Sequence, residues 1–218
     1  MIQDLAFYVS EKDISLLSSC NTRNYSLALE RIDGYLLKPG ELFNANRELA
    51  KVRGYCTGRG ETNFLFYGGV CGMSAQVFRT TLIHPTIEIT KRSPHNERFV
   101  QYYGAEIGGD DAAVYEMSKQ FEVMNIGDED IYFRVKWGDK RTELVAISPR
   151  SHQWVEITKF PISEREIELE RKIWNAQIDE KSDFSLTTPI FPQVETSDIL
   201  VKQEVFHSLY YRKNYEIR

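Results

Sequence analysis

The residue with the clearest potential for chemistry is Cys71, which follows Gly68 and Gly69 at the start of a predicted helix. A thiol on the first turn of a helix lies near the positive end of the macrodipole and near unpaired N–H groups. Both favour the reactive thiolate. The same N–H groups can hold the oxyanion of an acyl-transfer intermediate. The pattern therefore indicates a cysteine nucleophile, and the alternative is a small buried apolar residue, as most free cysteines are.

A cysteine nucleophile needs a base, and the chain has four histidines. His95 is the preferred candidate because a helix, a turn and a strand fit between it and Cys71, so the chain can return to the thiol. His84 precedes a proline at a helix end, where a protonated imidazole complements the helix dipole. The remaining two, His152 and His207, lie in a β-rich tail with no motif around them. The sequence thus predicts a pair of Cys71 and His95.

Polar residues close to this pair have roles that the sequence leaves open. Arg92 binds a substrate carboxylate through its forked donors, or it forms a surface ion pair. Ser93 or Asp111 orients the imidazole of His95. Asp111 also has the features of a turn residue, because it follows a Gly-Gly pair and a second aspartate.

The chain has three cysteines, an odd number, so at least one is free unless it pairs between chains. Cys20 and Cys56 have no adjacent base, and we predict that neither takes part in catalysis. A disulfide between them requires an oxidising compartment and a Cα separation below about 7 Å. No close group of cysteine and histidine indicates a metal site, and no cofactor is expected.

The helix that must carry Cys71 is predicted from an apolar stripe at helical spacing, which a proline ends. Its members are Ser74, Val77, Phe78, Thr81 and Leu82. Residues 86–91 alternate as a strand does, and the polar loop 92–98 follows. A second helix is predicted over residues 24–37, with Ser26 as its N-cap.

The remaining elements are predicted to be mainly strands. Residues 41–66 contain several glycines and are assigned to short strands and loops. Residues 163–177 fit either a helix or an edge strand, whereas residues 198–206 and 208–217 fit a closing hairpin. Short strands are expected at Leu5–Val9, Phe99–Tyr103, Ala112–Tyr115, Gln120–Asn125, Ile131–Trp137, Glu143–Ile147 and Gln153–Phe160.

The predicted fold class is therefore α+β: a mostly antiparallel sheet with a few helices, followed by a β-rich C-terminal extension. The first domain is expected over residues 5–150, and the extension over residues 151–218 is expected to pack on it. Within the first domain, we expect the helix that begins near Cys71 to pack on the sheet.

Composition excludes several classes of protein. The 218 residues are 42% hydrophobic and 12% aromatic, which suits a globular chain with much β-structure. A net charge of −5 and a pI near 5.5 argue against a nucleic-acid partner. The apolar runs are too short for a transmembrane segment of about 20 residues. No signal peptide is visible, which predicts a cytoplasmic location if the chain is complete.

Several motifs follow one another in order along the chain. They are Asn21-Thr22-Arg23-Asn24, Leu37-Lys38-Pro39-Gly40-Glu41-Leu42-Phe43-Asn44, Gly54-Tyr55, Tyr67-Gly68-Gly69-Val70-Cys71-Gly72-Met73-Ser74, Lys91-Arg92-Ser93-Pro94-His95-Asn96, Gly109-Asp110-Asp111-Ala112-Ala113-Val114 and the strand pair from Asn125 to Phe133. With them the chain resembles the VanW-domain family, bacterial proteins first noted beside vancomycin-resistance genes, over about residues 5–147. Tyr67, Gly72 and Ser93 depart from the family pattern, which has a glycine, a glutamine and a histidine there.

The resemblance implies an acyl-transfer site. Some members of the family are understood to act as L,D-transpeptidases, which cross-link peptidoglycan stem peptides through a cysteine acyl-enzyme. By this resemblance Cys71 attacks the stem-peptide carbonyl, His95 takes the thiol proton, and backbone N–H groups near Gly72 hold the oxyanion. The expected substrate and oxyanion residues are Gly69, Gly72, Ser74, Arg92 and Asp111.

Two functions follow from the resemblance. The first is a cell-envelope cysteine acyltransferase, L,D-transpeptidase-like, that acts on peptidoglycan stem peptides. The second is a non-catalytic relative that binds a stem peptide or another envelope component, or serves as a structural subunit of an envelope assembly. Both imply an extracytoplasmic location. A third hypothesis, a cytoplasmic protein with an unrelated partner, rests only on the absence of a visible signal peptide.

Overall fold

The structure is a computed structural model that describes residues 5–60, 64–65, 67–96, 99–100, 105–106, 108–116, 118–176 and 198–210. Its helices are α1 (Ser19–Glu30), α2 (Ala45–Ala50) and α3 (Cys71–Leu82). Its strands are β1 (Leu5–Asp13), β2 (Leu36–Leu37), β3 (Leu42–Asn44), β4 (Gly58–Arg59), β5 (Phe64–Leu65), β6 (Ile87–Arg92), β7 (Phe99–Val100), β8 (Ala105–Glu106), β9 (Phe121–Asn125), β10 (Ile131–Trp137), β11 (Arg141–Pro149), β12 (Gln153–Pro161), β13 (Glu166–Asn175) and β14 (Ile199–Leu209).

Three antiparallel sheets form the framework. The first has the strand order β1-β11-β10-β2, the second β3-β9-β6 and the third β12-β13-β14. Two short pairs, β4 with β5 and β7 with β8, complete the described strands. The α+β class with mostly antiparallel pairing and a β-rich C-terminal part is therefore confirmed.

Helix α3 packs between the sheets. It contacts β1 and β11 of the first sheet and β6 of the second. Its apolar side chains are almost completely buried, and Phe78 meets Phe121 and Phe206 edge to face with ring centroids 5.8 Å apart in both pairs. Phe206 belongs to β14, so the third sheet shares this core. The predicted helical stripe thus lies on a buried helix whose first residue is Cys71.

The predicted first helix was displaced from its true position. Helix α1 covers Ser19–Glu30, and its N-cap is Ser18, not Ser26. The Ser18 hydroxyl accepts the backbone N–H of Asn21, as an N-cap requires. The helix ends before Gly34, whose φ of +79° favours glycine, and residues 36–37 form β2.

Two further assignments in the first 150 residues were wrong. Residues 41–66 include helix α2, whose N-cap Asn44 accepts the N–H of Arg47 at 2.8 Å. Six residues are too few for an apolar stripe to indicate a helix. Residues 112–115 form no strand but an extended segment that packs along the start of α3.

The C-terminal part also differs from the prediction. Residues 166–175 form β13, which is neither a helix nor an edge strand, because β12 and β14 pair with it on both sides. Ile199–Leu209 is one continuous strand, so the hairpin with a turn near residue 207 was wrong; residues 211–217 lie outside the described residues. The division into 5–150 and 151–218 stays a prediction. No helix in the described ranges is long and apolar enough to span a membrane.

Candidate active site

The loop before α3 holds Cys71 through close backbone packing. Gly69 has a φ of +104°, and a Cβ on it would lie 2.7 Å from the carbonyl oxygen of Asn21. Only glycine fits this position without moving α1. Gly69 therefore lets the backbone turn tightly against α1. Because the chain turns there, the helix begins at Cys71.

Two buried asparagines of α1 fasten this loop to its neighbours. The Asn24 side-chain amide donates to the carbonyl oxygens of Cys56 at 2.7 Å and Gly68 at 2.8 Å. The Asn21 amide donates to the carbonyl oxygen of Arg59 at 2.8 Å. Neither asparagine was predicted from the sequence to have a role in the site. Their spacing of three residues on one helix face was the available signal.

A disulfide joins Cys20 of α1 to Cys56, with Cα atoms 5.8 Å apart. The separation satisfies the limit set from the sequence. Cys71 is left as the free cysteine, and it is partly exposed. The disulfide lies on the same two segments that Asn24 connects, so it supports the glycine loop from outside the candidate site.

The Cys71 thiol forms a hydrogen bond with His95, which comes from the loop after β6. Its sulfur also donates to the carbonyl oxygen of Val114 at 3.4 Å. His95 is only 2% exposed. Nδ1 of His95 is held by Asp111, which leaves Nε2 as the ring nitrogen for the thiol. The structure thus brings the Cys71 sulfur and the His95 ring together.

Asp111 completes the chain of contacts. Its Oδ2 lies 2.6 Å from His95 Nδ1 and accepts the His95 backbone N–H at 2.7 Å. Its Oδ1 accepts Nη2 of Arg92 and the hydroxyl of Tyr210, each at 3.0 Å. Each carboxylate oxygen therefore has two donors, and Asp111, not Ser93, orients the imidazole. The Ser93 hydroxyl instead accepts the N–H of Gln120 at 3.0 Å.

The charges of this buried group support one another. Burial alone lowers the pKa of His95, but hydrogen bonds to Asp111 and Cys71, followed by electrostatic interactions with both residues, outweigh burial and raise this pKa to about 10. Burial alone raises the pKa of Asp111, but its hydrogen bond to His95, with the charges of His95 and Arg92, holds it well below its usual range. An imidazolium between a carboxylate and a sulfur is the favoured state of the site.

Arg92 lies behind Asp111. Its Nε donates to the Asp111 carbonyl at 2.7 Å, and Nη2 donates to the Gly109 carbonyl at 3.0 Å. Its side chain is 3% exposed and stacks over the Phe78 ring at 5.2 Å. In this geometry Arg92 holds the carboxylate of Asp111, and its donors do not face the thiol.

Gly72 and Ser74 stabilise the first turn of α3 from within. The Gly72 N–H, expected to hold an oxyanion, donates to Gly69 at 3.0 Å. A Cβ on Gly72 would lie 2.9 Å from the Tyr25 ring, so a glutamine side chain here would point at α1. The Ser74 hydroxyl donates to the carbonyl of Ala112 at 2.6 Å and ties the segment of Asp111 to the helix.

The free backbone donor beside the sulfur is the N–H of Cys71 itself. Among the described residues, no oxygen accepts this group, and no side chain caps the helix. An N–H adjacent to a nucleophile is well placed to stabilise a developing oxyanion. The sequence predicted a donor among the N–H groups near Gly72, because spacing alone does not show which first-turn N–H is bonded internally.

The part of the chain that carries these residues matches a known protein family. The family model described as VanW like protein matches residues 21–147. This stretch contains α1 from Asn21 onward, the glycine loop, Cys71, His95 and Asp111. The chain belongs to the VanW-like family.

A VanW-like relative with a curated name extends the comparison. The chain is 29% identical over 120 residues to the vancomycin B-type resistance protein VanW of Enterococcus faecalis. The alignment covers 51% of this chain and 42% of that relative. This chain therefore matches less than half the length of the curated VanW protein. No solved structure matches the chain.

Proposed function

We propose that this VanW-like chain is a cysteine acyltransferase that forms a thioester on Cys71. The observation that carries the proposal is the line of contacts from the thiol through His95 to Asp111 at the start of α3. A nucleophile, a base and a group that orients the base are the minimum that covalent acyl transfer needs. His95 and Asp111 are buried, whereas Cys71 is partly exposed, so the sulfur is the group of the three that a substrate can reach.

The residues support a balanced two-step reaction. His95 holds the thiol proton while the sulfur attacks the carbonyl carbon of an amide, and the carbonyl electrons move onto oxygen. The C–N bond then breaks, and the leaving amine takes the proton from His95 to give a thioester on Cys71. An acceptor amine attacks the thioester, its proton passes to His95, and Cys71 leaves as the thiolate. The N–H of Cys71 is the donor for the oxyanion in both steps.

The substrate class in this proposal is the peptidoglycan stem peptide. It rests on the family resemblance and on the name of the relative, a vancomycin resistance protein. The Cys20–Cys56 disulfide supports an oxidising compartment such as the cell envelope. Because the Arg92 donors are occupied by protein oxygens, binding of a substrate carboxylate is not assigned to Arg92.

Intact mass spectrometry tests the proposal. The protein is incubated with a synthetic stem tetrapeptide as acyl donor and with a carbapenem, and its mass is compared with those of Cys71→Ala and His95→Ala. Wild type should gain the mass of the tetrapeptide minus its leaving amine, or the full mass of the carbapenem, because opening of the β-lactam ring releases no separate amine. Cys71→Ala should gain nothing, and His95→Ala should acylate about 10²- to 10⁴-fold more slowly.

A second measurement separates catalysis from binding. The rate at which iodoacetamide alkylates Cys71 is compared with that of a short cysteine peptide at neutral pH. A rate no higher than that of the peptide, with no dependence on His95 and no acyl adduct, contradicts the proposal. That result would instead favour the non-catalytic envelope-binding relative.

A further inference from the structure

The third sheet reaches the candidate site from beyond the residues that match the family. Tyr210 follows the last residue of β14, and its hydroxyl donates to Oδ1 of Asp111 at 3.0 Å. The family model ends at residue 147. A side chain from the C-terminal part therefore contacts the carboxylate that orients His95.

The position of Tyr210 is well determined by its surroundings. Its side chain is fully buried, and its backbone N–H donates to the Arg165 carbonyl at 2.8 Å. Ile167 of β13 packs so closely on Gly109 that a Cβ there would lie 2.8 Å from its Cγ2. A second hydrogen bond joins this sheet to the site: Nη1 of Arg92 donates to the His207 carbonyl of β14 at 3.1 Å.

The Tyr210 hydroxyl completes the donor set of a carboxylate that is 1% exposed. With two donors on each oxygen, Asp111 cannot rotate without breaking a hydrogen bond. Burial, with the charge of Asp111, raises the pKa of Tyr210, so the phenol stays neutral and remains a donor. The plane of the carboxylate then sets the plane of the imidazole.

We propose that Tyr210 is a positioning residue for the acyl-transfer site and that the C-terminal sheet thereby forms part of that site. The inference rests on the function proposed above. Tyr210 acts through Asp111 and does not touch the sulfur or the substrate. The extension is then required for a correctly oriented His95, in addition to any contribution that it makes to stability.

The test compares Tyr210→Phe with Tyr210→Ala in the full chain. Phe keeps the ring and removes only the hydroxyl, so a role in packing alone would be rescued by it. Tyr35→Phe is the matched control, because it removes a phenol donor to a carboxylate, Glu41, at 2.9 Å away from the site. Two readouts are used: iodoacetamide alkylation of Cys71, and the NMR signal and exchange rate of the His95 Nδ1 proton.

We expect iodoacetamide to alkylate Cys71 about tenfold more slowly in Tyr210→Phe than in wild type. This factor corresponds to one lost hydrogen bond to a charged group. The His95 Nδ1 proton should shift and exchange faster, and Tyr35→Phe should match wild type in both readouts. If Cys71 of Tyr210→Phe is alkylated at the wild-type rate and the His95 signal is unchanged, the positioning role is overturned. This holds even where Cys71 of Tyr210→Ala is alkylated more slowly.

The outcomes separate this inference from the proposed function. If Asp111→Asn and His95→Ala slow alkylation but Tyr210→Phe does not, acyl transfer stands and the role of Tyr210 fails. If wild-type Cys71 is unreactive, the proposed function fails, and the His95 signal alone decides the positioning role. Should Tyr210→Phe not fold, Tyr210→fluorotyrosine keeps a stronger phenol donor. An unshifted His95 signal there overturns the inference.

Discussion

Helix α3 has a buried histidine near each end, and the two residues are held in opposite charge states. His95 lies at the N-terminal end with 2% exposure, and His84 lies just after the C-terminal end with 1% exposure. Asp111 raises the pKa of His95, as described above. Burial, followed by the charge of Arg171, lowers the pKa of His84 to about 3. The neighbouring charge, not the degree of burial, distinguishes the two.

The comparison also shows how weak the helix dipole is beside full charges. The dipole alone would favour a neutral imidazole at the N-terminus and a protonated one at the C-terminus. The structure has the reverse, so the protonated His84 expected from the sequence was wrong. Nδ1 of His84 accepts the Thr86 N–H at 3.3 Å, which requires a neutral ring. At His95 the full charge of Asp111, within hydrogen-bond distance of the ring, outweighs the half charge of the helix end, and at His84 burial, followed by the charge of Arg171, outweighs it.

At the C-terminal end the cation is Arg171 of β13. It is fully buried and donates to the carbonyl oxygens of Leu82 at 2.8 Å and Ile87 at 3.0 Å. It also pairs with Glu204. The third sheet thus contributes to both ends of α3: a guanidinium at one and the Tyr210 hydroxyl at the other.

The largest effect is expected from Asp111→Asn, which would break the comparison at its N-terminal end. An amide cannot stabilise an imidazolium, so burial should bring the pKa of His95 down toward that of a neutral residue such as His84. Acylation of Cys71 should slow by about 10⁴-fold at neutral pH, as when the orienting aspartate of a Ser-His-Asp triad is replaced by asparagine. A quenched time course of acylation measures the change in rate, and NMR titration of His95 measures the change in its pKa.

Asn44→Ala, which removes the N-cap of α2 and touches neither histidine, serves as the control for Asp111→Asn. It should leave the acylation rate unchanged although it weakens α2. Acylation by Asp111→Asn at the wild-type rate would contradict the role of the carboxylate.

The next effect concerns stability at the other end of α3. Arg171→Met should lower the free energy of unfolding by about 3 kcal/mol, because buried carbonyl oxygens lose their donor and Glu204 keeps, among the described residues, only its ion pair with Lys202. Urea unfolding measures the loss. Arg141→Met, at an exposed pair with Glu11, should leave the unfolding midpoint unchanged.

Arg171→Met also tests whether the two ends of α3 are independent. Under conditions where this variant is folded, alkylation of Cys71 should match wild type. A rate that falls together with the stability would show that the ends are coupled through the helix.

An effect of similar size is expected from the disulfide that supports the glycine loop. Cys20 and Cys56 are separated by 36 residues, and a loop of that length corresponds to about 2 to 4 kcal/mol of stabilisation. The double variant Cys20→Ser with Cys56→Ser should lose this amount of unfolding free energy and should therefore unfold at a lower urea concentration. Dithiothreitol should bring wild type to the same midpoint and should not shift the double variant. An unshifted midpoint of reduced wild type would contradict the prediction.

The smallest effect is the pH dependence of stability, which differs in sign for the two histidines. The folded pKa of His84 lies below its unfolded value of about 6.5, so the unfolded state binds the extra proton. Its contribution falls with falling pH below about 6.5, by about 1 kcal/mol per pH unit. The folded pKa of His95 is raised, so its contribution is full below about 6.5 and is lost as the pH rises toward 10.

The free energy of unfolding of wild type minus that of each variant, measured with urea between about pH 4.5 and 10, isolates the two limbs. Lys12, whose folded pKa is lowered to about 7 by burial and by the charge of Arg79, changes stability in the opposite direction to His95 in the alkaline range, and it cancels in this difference. The difference for His84→Gln should fall with falling pH, and the difference for His95→Gln should fall with rising pH. Differences that fall in the same direction for both variants would contradict the opposite charge states.

Local patterns were sufficient for some elements and not for others. The stripe from Ser74 to Leu82 identified α3, and the alternation at 131–137 identified β10, because each pattern is set by one element against one buried face. Helix α1 was misplaced because its buried face contains Asn21 and Asn24, which are polar yet inside. Their burial depends on carbonyl oxygens from distant segments, which no local window contains.

By itself the sequence determined a cysteine at the start of a helix after paired glycines, and a histidine in the loop after the next strand. Such features follow from steric limits and periodicity within a few residues. Only the tertiary structure decided that Asp111 orients His95, that Arg92 faces inward and that Tyr210 reaches the carboxylate. These contacts join segments up to about a hundred residues apart, and burial makes each hydrogen bond count because water cannot replace it.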